Sequence, residues 1–197
     1  MSAHHDEQQE LENAKHLWRR GGKWVFALLV AAALAYLGNS MYQSHLRGKN
    51  EEAATEGMKV QGDYAKLTEL QNRFKDSPAA AQSSLQTALA LFNAGKLDEA
   101  AKAYQWVLDT QKEPVLQVSA AQNLANVLVE QKKFDDALKV LNLTVPAEFE
   151  PLLNESKGDV LAAQGKKQEA AAAYKAALDK LPEDSLSREL VEAKLSQ

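Results

Sequence analysis

The feature that most constrains this chain is an unbroken apolar run at residues 24–37. Gly38, Asn39 and Ser40 follow, then Met41 and Tyr42, so residues 24–42 form a stretch of nineteen without a charge. A helix rises about 1.5 Å per residue, so this one spans roughly 28 Å, close to the roughly 30 Å of bilayer hydrocarbon. Trp24 at one end and Tyr36 and Tyr42 at the other suit the two headgroup regions, where a ring buries its body and keeps a polar edge wet. A core helix of a soluble protein would carry a polar stripe, and none is present. A signal peptide is the alternative, because Ala33-Leu34-Ala35 has the small-x-small form of a cleavage site. Twenty-three residues precede the run, however, and four of them are acidic. That is a poor start region, so the expectation is a transmembrane anchor.

Orientation follows from the basic residues beside the span. Lys15, Arg19, Arg20 and Lys23 precede it, whereas Arg47 and Lys49 follow it. The excess predicts a cytoplasmic N-terminus, with the remaining residues on the far side of the membrane. The absence of cysteine excludes a disulfide scaffold, a thiol enzyme and a cysteine-based metal centre. The net charge of −4 argues against a nucleic-acid binder, which needs a basic face.

Beyond the span the sequence repeats itself. Residues 88–108, 125–141 and 158–178 align on Gly95, Lys132 and Gly165, which are 37 and 33 residues apart. Ala88, Ala125 and Gly158 place a small residue where two helices of a pair approach. Ala100, Ala137 and Ala170 do the same on the second helix. Tyr104, Leu141 and Tyr174 supply a large residue for the gap between pairs, and Leu91, Leu128 and Leu161 supply another. Gly95 and Gly165 have the freedom to end a helix at positive φ; Lys132 must turn without it. All five prolines fall between the periodic stretches. The pattern resembles the tetratricopeptide repeat, whose period is about 34 residues. The tryptophan usual early in each repeat is replaced by Ser84, Ala121 and Asn154.

The expected fold is therefore all-α: one N-terminal transmembrane helix, then a tetratricopeptide-repeat-like α-solenoid of three to four helix pairs with a C-terminal capping helix. The boundaries read as a cytoplasmic tail at 1–23, the span at 24–42, a connecting helix and degenerate repeat at 43–77, and the repeat domain at 78–197. Helix pairs are predicted at 78–94 with 97–110, 114–131 with 134–143, and 151–164 with 167–181. The capping helix is predicted at 183–196, presenting Glu183, Asp184, Ser185, Ser187, Arg188, Glu189, Glu192 and Lys194 as a polar end. Gly48 and Gly57 each weaken the connecting helix by roughly 1 kcal/mol, which suggests a hinge.

No Walker loop, dinucleotide motif, nucleophile elbow or zinc-protease motif is present, and the four histidines show no metal-ligand spacing. The chain reads as a non-enzyme without cofactor or small-molecule substrate, which leaves binding. Stacked pairs form a concave face lined by the first helix of each pair. The groove positions of the repeat family map to Gln82, Leu85, Leu89, Phe92 and Asn93, then Gln122, Asn126, Val129 and Glu130, then Glu155 and Asp159. Such a mixed groove suits an extended peptide or a partner helix. The other reading of Leu85, Leu89 and Phe92 is packing against the preceding helix. Domains of this family that clamp a C-terminal carboxylate use lysine and asparagine where Leu85 and Leu89 stand, so no clamp is expected. In the span, Ala27, Ala31 and Ala35 with Asn39 form a small-residue face that would admit a second membrane helix.

The order of parts also resembles a known family. Glu12, Lys15, Trp18 and Gly22-Lys23 before the span, Tyr42 and Ser44-His45 after it, and the repeats to the C-terminus resemble the YfgM-like ancillary subunits of the bacterial SecYEG translocon. The resemblance implies a periplasmic scaffold or co-chaperone bound to SecYEG and to the chaperone PpiD. The alternatives are a regulator of an envelope stress-signalling partner and an assembly factor for another envelope machine.

Overall fold

The computed structural model describes Lys15 and residues 18–196. The expected tail, with His4, His5, Glu12 and His16, lies almost wholly outside the described residues. The chain divides into two units, Met1–Gly48 and Lys49–Gln197. In the first, a π-helical turn at Trp18–Gly22 leads into α1, Lys23–Gly57. Its residues 23–48 are all exposed. Trp24, Leu28, Leu34 and Tyr36 thus display their apolar surface outward, as a segment solvated by lipid would. Among the described residues α1 is the one helix long and apolar enough to cross a membrane.

The second unit holds α2 (Tyr64–Arg73), α3 (Pro78–Asn93), α4 (Leu97–Thr110), α5 (Pro114–Glu130) and α6 (Phe134–Val140). A 3₁₀ turn at Ala147–Phe149 precedes α7 (Glu150–Ala163), α8 (Lys167–Leu178) and α9 (Leu186–Leu195). No strand occurs among the described residues. Helix starts follow local chemistry. Asp63 accepts from the amides of Ala65 and Lys66, Ser77 from that of Ala80 with Pro78 next in line, and Ser185 from that of Arg188.

The three pairs, α3–α4, α5–α6 and α7–α8, turn in one way. The amides of Lys96, Lys133 and Lys166 donate back to the carbonyls of Leu91, Leu128 and Leu161 at 2.8–2.9 Å. The preceding residue has positive φ each time: Gly95 at 73°, Lys132 at 61° and Gly165 at 82°. This is the Schellman closure. Lys132 therefore adopts the left-handed conformation despite its Cβ, because the closure outweighs a local strain of about 1–2 kcal/mol.

The recurring positions are buried as the alignment expects. Ala88, Ala100, Ala125, Ala137 and Ala170 are at most 3% exposed, as are Tyr104 and Leu141. At Gly158 the reason is visible, since a Cβ there would collide with the ring of Tyr174. Three expectations change. Helix α6 ends at Val140 rather than 143, where the Asn142 amide bonds back to the Lys139 carbonyl three residues earlier and the tightened turn ends the ladder; Leu141 still fills the core from beyond the helix end. Gly57 is no loose hinge residue: a Cβ there would collide with the side chain of Ser83 on α3. Near it, Asn50 accepts from the Ser77 hydroxyl at 2.8 Å and the Ala79 amide at 2.9 Å, and Glu52 pairs with Arg73. The third change concerns α9. It starts at Leu186, and its polar residues do not all face solvent. Arg188 donates to the carbonyls of Leu178 and Leu181, whereas Leu186 and Leu190 are exposed.

Candidate functional site

Helices α3, α5 and α7 pack in sequence, α3 against α5 and α5 against α7, so they form the row expected to line a groove. The candidate side chains on this row divide by burial. Gln82, Leu89 and Asn93 on α3 and Asn126 and Glu130 on α5 are exposed, while Phe92 and Val129 are half-buried against the core. Leu89 is 48% exposed, a large apolar residue left open to solvent. Leu85 differs. It is buried in the main core and offers a ligand no surface, so the packing reading holds at that position. Ser84 beside it in sequence is also fully buried and is bonded to Gln71 at 3.0 Å.

Gln122 is also occupied. Its side-chain amide donates to the Leu152 carbonyl at 3.2 Å and the Ser156 hydroxyl at 2.9 Å, joining α5 to α7. Ser156 in turn donates to the Leu152 carbonyl. The bond fixes how two successive pairs stack.

Glu155 and Asp159 are one turn apart on α7, and both hold Lys194 of α9, at 2.8 and 2.7 Å. The second Asp159 oxygen accepts from the Tyr174 hydroxyl at 2.9 Å. Burial pulls the Lys194 ammonium down, but its hydrogen bonds to Asp159 and Glu155 outweigh that and hold its pKa above the ordinary lysine value. The Tyr174 hydroxyl is pushed well up, first by burial and then by its bond to Asp159. At this end of the row both acids are thus already engaged by one lysine of the chain's own last helix. Sequence reasoning missed Lys194 and Tyr174 as partners of the two acids. Their spacing on α7 was readable, but the return of α9 across them was not.

In the first unit, Ala27, Ala31, Ala35 and Asn39 are all exposed on α1. Among the described residues no group of three or more His, Cys, Asp or Glu converges as metal ligands would. The row offers amide and apolar surface with one free acid, Glu130.

Stacked antiparallel pairs with one turn geometry, recurrent small and large positions and a helical cap define a helical-repeat scaffold. The family model of the tetratricopeptide repeat-like domain matches residues 15–197. The chain belongs to this tetratricopeptide repeat-like family. It is also 46% identical over 205 residues to a protein of Neisseria gonorrhoeae (strain ATCC 700825 / FA 1090), covering 99% of this chain and 98% of that one. That relative is named an ancillary SecYEG translocon subunit.

Proposed function

We propose that this chain is a single-pass inner-membrane scaffold or co-chaperone of the SecYEG translocon, with its repeat unit in the periplasm. The observation that carries the reading is the 46% identity, over nearly the full length of both chains, to a relative named an ancillary SecYEG translocon subunit. A repeat fold without a catalytic constellation among the described residues agrees with a binding role. In this reading Gln82, Leu89, Asn93, Asn126 and Glu130, flanked by Phe92 and Val129, meet a partner protein or an emerging chain. Ala27, Ala31, Ala35 and Asn39 meet a translocon helix, and the chaperone PpiD is a second partner.

The test is purification of the full-length protein from gently solubilised membranes, with co-purifying proteins identified by mass spectrometry. A variant whose residues 24–42 are replaced by an unrelated span serves as control. Recovery of SecYEG and a periplasmic chaperone is expected, with SecYEG lost in the control. Recovery of neither, with a signalling or division protein instead, overturns the reading. For topology, an Ala162→Cys variant should react with a membrane-impermeant thiol reagent once the outer membrane is permeabilised, and a His5→Cys variant should not. The reverse pattern inverts the assignment.

A further inference from the structure

The end of a solenoid normally carries a polar outer face, because nothing stacks on it. Here Leu186 and Leu190 of α9 are 81% and 54% exposed. They are four residues apart, so they share one face of the helix. The inner face of α9 is already satisfied: Val191 is fully buried, Arg188 caps the carbonyls that end α8, and Lys194 lies on Glu155 and Asp159. The two leucines therefore form a second apolar face that the fold does not use.

The unpaired charge along residues 179–196 is all acidic. The bases of this segment are Lys180, Arg188 and Lys194, and each is paired, with Glu150, with Glu192, and with Glu155 and Asp159 respectively. Glu183 and Asp184 just before the helix, and Glu189 between the leucines, are exposed and make no ion pair among the described residues. We propose that Leu186 and Leu190 form a docking surface for a partner protein's amphipathic helix whose apolar stripe is flanked by lysine or arginine. Charge complementarity selects this occupant. A second copy of this chain would set Glu189 and Glu183 against their own equivalents. An anionic membrane surface would repel the same carboxylates. A basic helix satisfies both the leucines and the acids, in the helix-on-apolar-face mode. This surface is distinct from the α3–α5–α7 row and does not depend on association with the translocon.

The test uses the full-length protein in nanodiscs of zwitterionic lipid. The probe is a fluorescein-labelled synthetic helix with leucines at every third and fourth position and flanking lysines, read by anisotropy. A twin with flanking glutamates is the charge control. The lysine helix should bind, and L186S/L190S should weaken it about tenfold, as expected for two leucines losing their cover. Glu189→Lys should weaken it about threefold at low salt, fading as salt rises. Val115→Ser, at an exposed apolar residue outside both surfaces, should leave it unchanged. Equal binding by L186S/L190S, or equal binding of the glutamate twin, overturns the proposal. So does self-association in sedimentation, or flotation of the chain with anionic vesicles, that L186S/L190S abolishes. Should L186S/L190S melt early, Glu189→Lys and the two probe charges decide alone.

Discussion

The middle of the repeat unit and its C-terminal end are stabilised in different ways. From Ala53 to Val160 one apolar cluster runs continuously, with each pair packed on both sides. Beyond it lies a separate small cluster of Ala170, Tyr174, Ala177, Leu178 and Val191. There the last pair is followed by the single helix α9 rather than by a pair, so it has less of that packing. Polar contacts supplement it there: Tyr174 to Asp159, Lys194 to both acids, and Arg188 to the carbonyls of Leu178, which ends α8, and Leu181 beyond it. A repeat array is a sum of units and interfaces, and this one changes from apolar to polar stabilisation where the interfaces run out. Two of these polar residues, Glu155 and Asp159, stand at candidate groove positions, and the cap helix covers them through Lys194.

The sharpest way to break the contrast is to remove the filler of the middle. Tyr104→Ala deletes a side chain 2% exposed and should lower stability by about 3–5 kcal/mol. Chemical denaturation of the membrane-anchored chain, followed by circular dichroism, measures it; a loss below about 1 kcal/mol would mean the middle is not the tightly packed part. Next comes Gly158→Ala. Helix propensity alone would stabilise by about 1 kcal/mol, but the methyl meets the Tyr174 ring, so a net loss of about 1–3 kcal/mol is expected. Pairing it with Tyr174→Leu should recover part of the loss. A stabilising Gly158→Ala would refute the close approach.

Lys194→Met tests the polar end. The site is partly open to solvent, so the loss should be about 1 kcal/mol, confined to faster hydrogen exchange in α8 and α9. Uniformly faster exchange across α3–α6 would instead show the end and middle to be one cooperative block. Alkali acts in the same direction. Burial raises the Tyr104 hydroxyl to about 12, and Tyr174 and Lys194 are also raised. Folded groups with raised pKa values hold protons more tightly than unfolded ones. Their contribution is complete below about pH 10 and declines as pH rises toward 12 and beyond. A melting temperature that stays level from pH 9 to 12 would count against it. The smallest effect is Lys132→Gly, which should stabilise by about 0.5–1 kcal/mol by relieving the positive φ. A loss would mean the lysine side chain contributes more than its backbone strain costs.

Much of this molecule was legible in the amino-acid order, because its determinants are local or periodic. Span length, the small and large positions, proline placement and the two turn glycines each act within a turn or a pair, and the observed helices follow them. The groove was legible only in part. Register placed Leu89, Asn93, Asn126 and Glu130 outward, but Leu85 is buried by the helix beside it, and Gln122 is held by a carbonyl thirty residues away. The left-handed turn at Lys132 looked unfavourable in sequence and forms because two packed helices close around it. What only tertiary structure decided are the contacts between residues far apart in the chain: α9 returning so that Lys194 reaches Glu155 and Asp159 while Leu186 and Leu190 are turned outward. A periodic pattern specifies which face of a helix is apolar. It does not specify which neighbour covers that face, since that is set by the summed packing of the elements between.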